Sequence, residues 1–153
     1  MKHFDIVMVL EYFRPLTYYL SIIRYLGDGY NIGLYAVDID SRQHKKNIDT
    51  QKLFEKTCKE FGAKIIRKEE VQTEVLLIPQ NVYTEIARKD INNNIKAKQK
   101  VGILGFAWAG VQVHDEFLDV FAIDKVFVTD KRFTDFLLVQ RKVKAYKEKT
   151  IIE

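Results

Sequence analysis

The sequence predicts an α/β domain with an open, mainly parallel, Rossmann-like sheet of about six strands and helices on both faces. Apolar, strand-like runs alternate with helix-like patterns along the chain, and this alternation is typical of right-handed strand–helix–strand crossovers. The first run, Phe4 to Leu10, is almost continuously apolar, as expected for a strand that is covered on both faces. Because 153 residues are the length of one ordinary domain, we expect a single domain over residues 1–153.

The first half of the chain alternates strand, helix, strand and helix. After the first strand, Pro15 stands where a first helical residue is favoured, and apolar residues follow at helical spacing up to Gly27, which ends the helix. Residues 31–37 are the second predicted strand. Asp49 is suited to cap a further helix that ends at Gly62. The apolar face of that helix consists of Leu53, Phe54, Cys58 and Phe61.

The second half is predicted to alternate in the same way. Four further strands are predicted over residues 63–67, 74–78, 100–106 and 125–128. Helices are predicted over residues 82–95 and 115–122, followed by a final helix marked by Phe133, Phe136, Leu137 and Val143. The inward residues of the first of these helices are predicted to be Ile86, Ile91 and Ile95. The connection 68–73 is too short for a helix, so it is interpreted as a hairpin, an edge excursion or a crossover through irregular chain.

The last four residues, 150–153, have the pattern of one more strand. A domain rarely ends on a fresh apolar strand with nothing after it. A strand at the sheet edge would explain the pattern, but we favour the hypothesis that the chain is the N-terminal half of a longer two-domain protein.

The composition restricts the class of protein. Cys58 is the only cysteine, which excludes an internal disulfide and a cysteine-based metal site and favours a reduced compartment. No apolar run reaches the ~18 residues of a membrane span, so we expect a cytoplasmic protein. The net charge is +4, with basic runs in residues 42–46 and 141–149. Such runs are typical of solvated faces, and peripheral contact with the inner face of a membrane is the alternative; without a recognition-helix or RNA-binding signature, we expect no nucleic-acid partner.

The candidate binding residues follow the apolar runs. In open parallel sheets, ligands bind outside the carboxyl ends of the strands, near the point where the strand order reverses. Polar and aromatic residues there suit a polyhydroxy ligand, because rings stack on sugar faces while amides and carboxylates bond hydroxyl groups. The predicted binding residues are Tyr12, Arg14, Gln80, Trp108 and Asp130.

His114 and Glu11 are the candidates for acid–base catalysis. His114 stands next to Asp115, and a neighbouring carboxylate can orient an imidazole and favour its charged form. The alternative is that Asp115 only caps the helix that follows. Glu11, at the end of the first strand, is the second candidate base. Arg14 lies at a predicted helix N-terminus, where a phosphate or carboxylate is favoured; the alternative is an ordinary surface arginine.

The chain lacks the motifs of several common sites, and their absence argues against those sites. Residues 11–15, after the first strand, contain no glycine, so they do not form the loop of a G-x-G-x-x-G dinucleotide site. A G-x-x-x-x-G-K-[ST] phosphate loop is absent as well. The third strand ends in Arg67 and Lys68 rather than in the aspartate that a receiver domain phosphorylates. The histidines share no ligand spacing with other donors, and we therefore predict no cofactor and no metal in this domain.

Three runs of the sequence are similar to the amino-terminal half of GT-B transferases. They are residues 75–80 (VLLIPQ), 101–106 (VGILGF) and 124–130 (DKVFVTD). The chain most resembles glycosyltransferases and CDP-glycerol glycerophosphotransferases of bacterial envelope polymers, and the order of elements resembles theirs over most of its length. The chain departs from the glycerophosphotransferases after the fifth strand, where they have His-Gly-Thr and this chain has residues 107–110 (AWAG) before His114.

The resemblance implies an acceptor-binding domain of a GT-B-type glycosyltransferase or glycerophosphotransferase that acts in bacterial surface polysaccharide or polymer synthesis. His114 or Glu11 would then deprotonate the hydroxyl of a glycan or polyol-phosphate acceptor, Arg14 would hold an acceptor anion, and the Trp108 loop would shape the pocket. The nucleotide-linked donor would bind a C-terminal domain outside this chain, so this half would be inactive alone. The alternatives are a non-catalytic, flavodoxin-like binding or regulatory module and part of a sugar-nucleotide epimerase.

Overall fold

The protein has a seven-stranded, all-parallel sheet with the strand order β3-β2-β1-β4-β5-β6-β7. The computed structural model describes residues 1–10, 16–37, 52, 55–56, 58–60, 62–79, 85–104, 120–128 and 150–152. The strands are β1 (Lys2–Leu10), β2 (Ile32–Ala36), β3 (Lys64–Ile66), β4 (Val71–Pro79), β5 (Ile95–Leu104), β6 (Lys125–Val128) and β7 (Thr150–Ile152). The predicted Rossmann-like class is confirmed, and the terminal run 150–152 supplies the seventh strand.

Two helices of the described chain have defined bounds, α1 (Leu16–Leu26) and α2 (Glu85–Asn94). A 3-10 turn, Gly27–Gly29, follows α1 at the predicted stop. The described residues between 52 and 60 are helical, in agreement with the second predicted helix of the first half. That helix is followed by Gly62 at a φ of +78°, a left-handed conformation that glycine adopts without steric cost.

The two faces of the sheet bury two separate cores. The α1-side core joins Met8 and Leu10 of β1 to Tyr19 and Ile23 of α1, and it includes Cys58. The α2-side core contains residues from strands β1 to β6, from α2 and from the segment before β6. Its members include Val7, Val9, Leu76, Ile78, Ala87 and Ile91. Helices on both faces leave the central strands without a solvent-facing side over most of their length, which explains their continuous apolar runs.

The connection between β3 and β4 is a crossover through irregular chain. Because β2 and β1 lie between these two strands in the sheet, the hairpin alternative is excluded. The short segment 67–70 includes Lys68 at a φ of +46°. Ion pairs attach both ends of the segment to its surroundings: Arg67 to Glu55, with Nη2 and Oε1 2.6 Å apart, and Glu69 to Lys2 of β1.

The predicted bounds of the α2 region are wrong at its C-terminal end. Ile95, predicted as an inward helical residue, is instead the buried first residue of β5. Ile86, also predicted to face inward, is 58% exposed. The buried residues of α2 are Ala87 and Ile91, which are four apart and therefore share one face of the helix. Ile91 belongs to both the predicted and the observed stripe, and Ala87 takes the place of Ile86 on the buried face.

Strands β1, β4 and β5 each change the face that they bury near their amino ends. In β1, Phe4 belongs to the α2-side core, yet Ile6 and Met8, which have the same parity, contact the α1-side core. In the same way Val71 and Leu76 of β4, which differ in parity, both belong to the α2-side core. The side chains of a regular strand alternate strictly between its two sides, so β1 and β4 each contain an irregularity, and β5 shows the same change.

Hydrogen bonds show at which residues of the strands this irregularity occurs. The amides of Asp5 and Ile6 both donate to the carbonyl of Asn31, at 2.9 and 3.4 Å, as two residues do when they oppose one residue of a neighbouring strand. The buried hydroxyl of Thr73, directly opposite Phe4, donates to the Val75 carbonyl at 2.9 Å. In β5 the change falls between Ala97 on the α2 side and Ile103 on the α1 side.

The change of face explains why β4 and β5 begin earlier than predicted. On the amino-terminal side of the irregularity, β1, β4 and β5 extend beyond the first residues of β2 and β6. In this part of the three strands, only the side that faces the α2-side core is buried. Their opposite side is polar, so the sequence 95–99 lacks the apolar run from which the sequence predicts a buried parallel strand.

Candidate functional site

The switch point of the sheet lies between β1 and β4. From β1 the chain proceeds through α1 to β2 on one side, and from β4 it proceeds through α2 to β5 on the other. The two helices cover opposite faces. Adjacent loops therefore depart in opposite directions at the carboxyl ends of β1 and β4, which is where open parallel sheets bind ligands.

The hydrogen-bonded ladder between β1 and β4 ends early at this point. Its last pair is Met8 with Leu77. In contrast, β1 remains paired with β2 as far as Leu10, and β4 remains paired with β5 as far as Pro79. We use the term switch-point strand ends for Val9, Leu10, Ile78 and Pro79.

The switch-point strand ends are apolar and buried, and a tyrosine hydroxyl bonds to their backbone. Val9, Leu10 and Ile78 are at most 3% exposed. The hydroxyl of Tyr19, on α1, donates to the Val9 carbonyl with an O···O distance of 2.6 Å. Burial raises the pKa of Tyr19 well above its ordinary value, so this hydroxyl keeps its proton and remains a donor.

All seven predicted site residues lie outside the described part of the chain. These residues are Glu11, Tyr12, Arg14, Gln80, Trp108, His114 and Asp130. The described strand ends do fix the order in which their segments leave the sheet. Neighbouring strands are about 4.8 Å apart. The segment after β1 therefore starts next to the segment after β4, and the segments after β5 and β6 follow at successive strand spacings.

A second polar cluster lies at the opposite end of the sheet, on the exposed side of β1, β4 and β5. We call it the amino-end polar face; it consists of His3, Gln72, Glu74, Lys96 and Lys98. His3, Gln72 and Lys96 are direct neighbours across the three strands. The sequence interpretation missed this face, because its residues become neighbours only when β4 and β5 extend below their predicted starts.

Glu74 is the centre of the amino-end polar face. Its Oε2 lies 2.8 Å from Lys98 Nζ, and its Oε1 lies 3.0 Å from His3 Nε2. Hydrogen bonds from Lys98 and then from His3 lower the pKa of the Glu74 carboxyl. The three side chains are 39–75% exposed, and ion pairs that are solvated to this degree contribute little to stability.

Two further side chains, those of Tyr35 and Asn94, bond to the carboxylate of Asp90. Tyr35 donates to Asp90 Oδ1 of α2 at 2.9 Å, and Asn94 donates to the same oxygen at 2.7 Å. The first bond joins α2 to β2, and the second lies within α2. Within the described residues, no group of three or more His, Cys, Asp or Glu side chains is placed to hold a metal ion. No helix among the same residues is both long and apolar enough to cross a membrane.

Comparison with known proteins gives no assignment. No protein-family model matches the chain, and neither the curated proteins nor the solved structures contain a significant match. The functional argument therefore depends on the fold, on the position of the switch point and on the residues that follow the strands.

Proposed function

We propose that this chain is the acceptor-binding domain of a GT-B-type glycosyltransferase or glycerophosphotransferase of bacterial surface polymers. The observation that supports the proposal most is the position of the switch point between β1 and β4. The segments that carry Tyr12, Arg14 and Gln80 start from these two neighbouring strands. A polyol phosphate offers hydroxyl groups for the amide and the ring, and a phosphate for the guanidinium.

The proposal assigns chemistry to two further segments. His114, after β5, would accept the proton of the attacking acceptor hydroxyl, and Glu11, after β1, is the alternative base. Trp108 would stack on the acceptor, and Asp130 would bond a hydroxyl group. The nucleotide-linked donor would bind a second domain, so the isolated chain is expected to bind the acceptor without transferring anything.

The competing proposal is a non-catalytic module that binds a partner protein. A flavodoxin-like version has the strand order 2-1-3-4-5, whereas here β3 lies outside β2, so the observed order favours the Rossmann class. A sugar-nucleotide epimerase fragment has a different expected ligand, a nucleotide sugar bound by this chain itself.

Saturation-transfer NMR on the isolated chain distinguishes these proposals. We expect saturation transfer to glycerol 3-phosphate and to a short poly(glycerol phosphate), and none to glycerol or to CDP-glycerol. Arg14→Ala should weaken phosphate-ligand binding about tenfold or more, because a charge-assisted hydrogen bond contributes roughly 1.5–3 kcal/mol. Arg24→Ala, which removes an exposed arginine of α1, is the matched control and should leave binding unchanged.

Each other result contradicts the acceptor proposal in a specific way. Binding of nucleotide sugars alone would favour the epimerase alternative. A lack of transfer to every small ligand would favour the non-catalytic module. An equal loss of binding in Arg14→Ala and Arg24→Ala would exclude Arg14 as an anion-binding residue. The loss would then come from the lower net charge that the two variants share.

A further inference from the structure

The Val9 carbonyl lies where the β1–β4 ladder stops, and the register shows which donor it lacks. In the paired part of β1 and β2, Leu10 lies opposite Ala36 and its carbonyl accepts from the amide of the next residue, Val37, at 3.1 Å. Consecutive residues of a strand direct their backbone groups to alternate sides. The Val9 carbonyl is therefore directed toward β4.

The same rule identifies the donor that a continuing ladder would use. Met8 lies opposite Leu77, so Val9 is opposite Ile78 and its carbonyl would accept from the amide of residue 79. Residue 79 is Pro79, which has no N–H. On its other side, β4 continues its ladder with β5 up to the pair of Pro79 and Ile103, because the backbone of Pro79 is directed toward β1 and not toward β5.

We infer that Pro79 is a backbone stop for the β1–β4 ladder at the switch point, and that Tyr19 is the positioning residue that supplies the hydrogen bond the proline cannot make. Tyr19 is 1% exposed and its hydroxyl is 2.6 Å from the Val9 carbonyl oxygen. A buried carbonyl without a donor is costly, and this carbonyl is at the centre of the sheet. The pair thus fixes the level at which the two central strands stop pairing, without leaving the backbone unsatisfied.

This inference does not depend on the acceptor proposal, because it concerns the backbone of β1 and β4 and its test uses no ligand. It predicts coupling between two substitutions. Tyr19→Phe removes the donor and should raise the unfolding equilibrium constant about tenfold. Pro79→Ala restores an amide at residue 79, so it should recover most of that loss in the Tyr19→Phe background and give no comparable gain in the wild type.

Urea unfolding of the wild type, the two single variants and the double variant measures this coupling. Pro15→Ala in the Tyr19→Phe background is the matched control, since it removes the chain's other proline without supplying an amide at residue 79. It should recover nothing. An equal effect of Pro79→Ala in both backgrounds would overturn the inference, as would a Tyr19→Phe variant of unchanged stability.

A direct measurement remains if Tyr19→Phe does not fold alone. In the Pro79→Ala variant, with Tyr19 intact, the new amide at residue 79 should show a through-hydrogen-bond scalar coupling to the Val9 carbonyl carbon. Its hydrogen exchange should also be slow compared with that of an unstructured chain. A fast-exchanging amide without coupling would show that the strands are separated at this level for another reason, and the inference would then be wrong.

Discussion

Tyr19 and Cys58 both lie in the α1-side core, but they carry different consequences for the protein. Tyr19 makes a hydrogen bond to backbone, so its polar group is satisfied where it is buried. Cys58 is fully buried on the apolar stripe of its helix, as its position in the sequence predicts, and it behaves as a small apolar residue. Burial and, second, the carboxylate of Glu55 raise the pKa of the Cys58 thiol to about 12.

The raised pKa of Cys58 predicts a loss of stability in alkali. The unfolded chain releases the thiol proton near pH 8.5, whereas the folded chain keeps it to about pH 12. Between these values the folded state binds more protons, so the free energy of unfolding falls as the pH rises, by at most about 1.4 kcal/mol per pH unit. The thiol has no such effect below about pH 8.

Cys58→Ala removes this titration and is the test. Urea unfolding at several values from pH 7 to pH 10 should show the wild type losing its advantage over the variant as the pH rises above about 8.5. Tyr19 is present in both proteins, so its own alkaline contribution cancels in the difference. Parallel stability curves for the two proteins would contradict the prediction.

Helix α2 and the amino ends of the three central strands each bury one side and expose the other. The helix buries Ala87 and Ile91 and leaves Ile86 at its surface. The amino ends of β1, β4 and β5 bury one side and expose the amino-end polar face on the other. Lys96 and Lys98 stand on the part of β5 that extends beyond β6, and lysines on such a strand disfavour edge-to-edge pairing with other chains.

The two isoleucines of α2 are a matched pair for testing its orientation. Ile91→Ala should lower the free energy of unfolding by about 2–5 kcal/mol, because it leaves a cavity in the α2-side core. Ile86→Ala makes the same chemical change at an exposed position and should alter stability by less than about 0.5 kcal/mol. Urea unfolding of both variants measures the difference. Similar losses would contradict the burial of one face only.

The whole molecule is organised around β1 and β4, which have a strand on each side and a core on each face. The outermost described strands, β3 and β7, have three residues each and one strand neighbour. Backbone amides are most protected where both neighbours and both faces are covered, and least protected at short edges. The sheet order therefore implies a gradient of local stability from the centre to the edges.

Hydrogen exchange followed by mass spectrometry measures that gradient. Peptides from β1 and from residues 75–79 of β4 should exchange most slowly, near the rate of global unfolding, and peptides from β3 and β7 should exchange fastest among the strands. The backbone amides in the amino-terminal part of β5, residues 95–99, should exchange faster than those of residues 101–104, which have a strand partner on both sides. Uniform exchange across the sheet would contradict the gradient.

The sequence determined the fold class and most of the element order of this protein. The continuous apolar run of β1, the glycine after α1 and the exact range of β6 are local signals, and local structure follows from them because burial on both faces leaves little freedom in residue type. The burial of Cys58 and Ile91 was likewise predictable from helical spacing. The site residues remain predictions, because a strand-end position indicates where a ligand can bind and not which side chains meet there.

Tertiary structure alone decided three features: the strand order, the crossover between β3 and β4, and the strand conformation of the amino-terminal parts of β4 and β5. The sequence of residues 95–99 is polar at every second position, and it forms a strand only because β4 lies alongside it and the α2-side core covers one side. The position at which the β1–β4 ladder stops is likewise decided by the tertiary structure. Pro79 is visible in the sequence, but its effect on Val9, and the role of Tyr19, depend on a register between segments about 70 residues apart that only the folded sheet establishes.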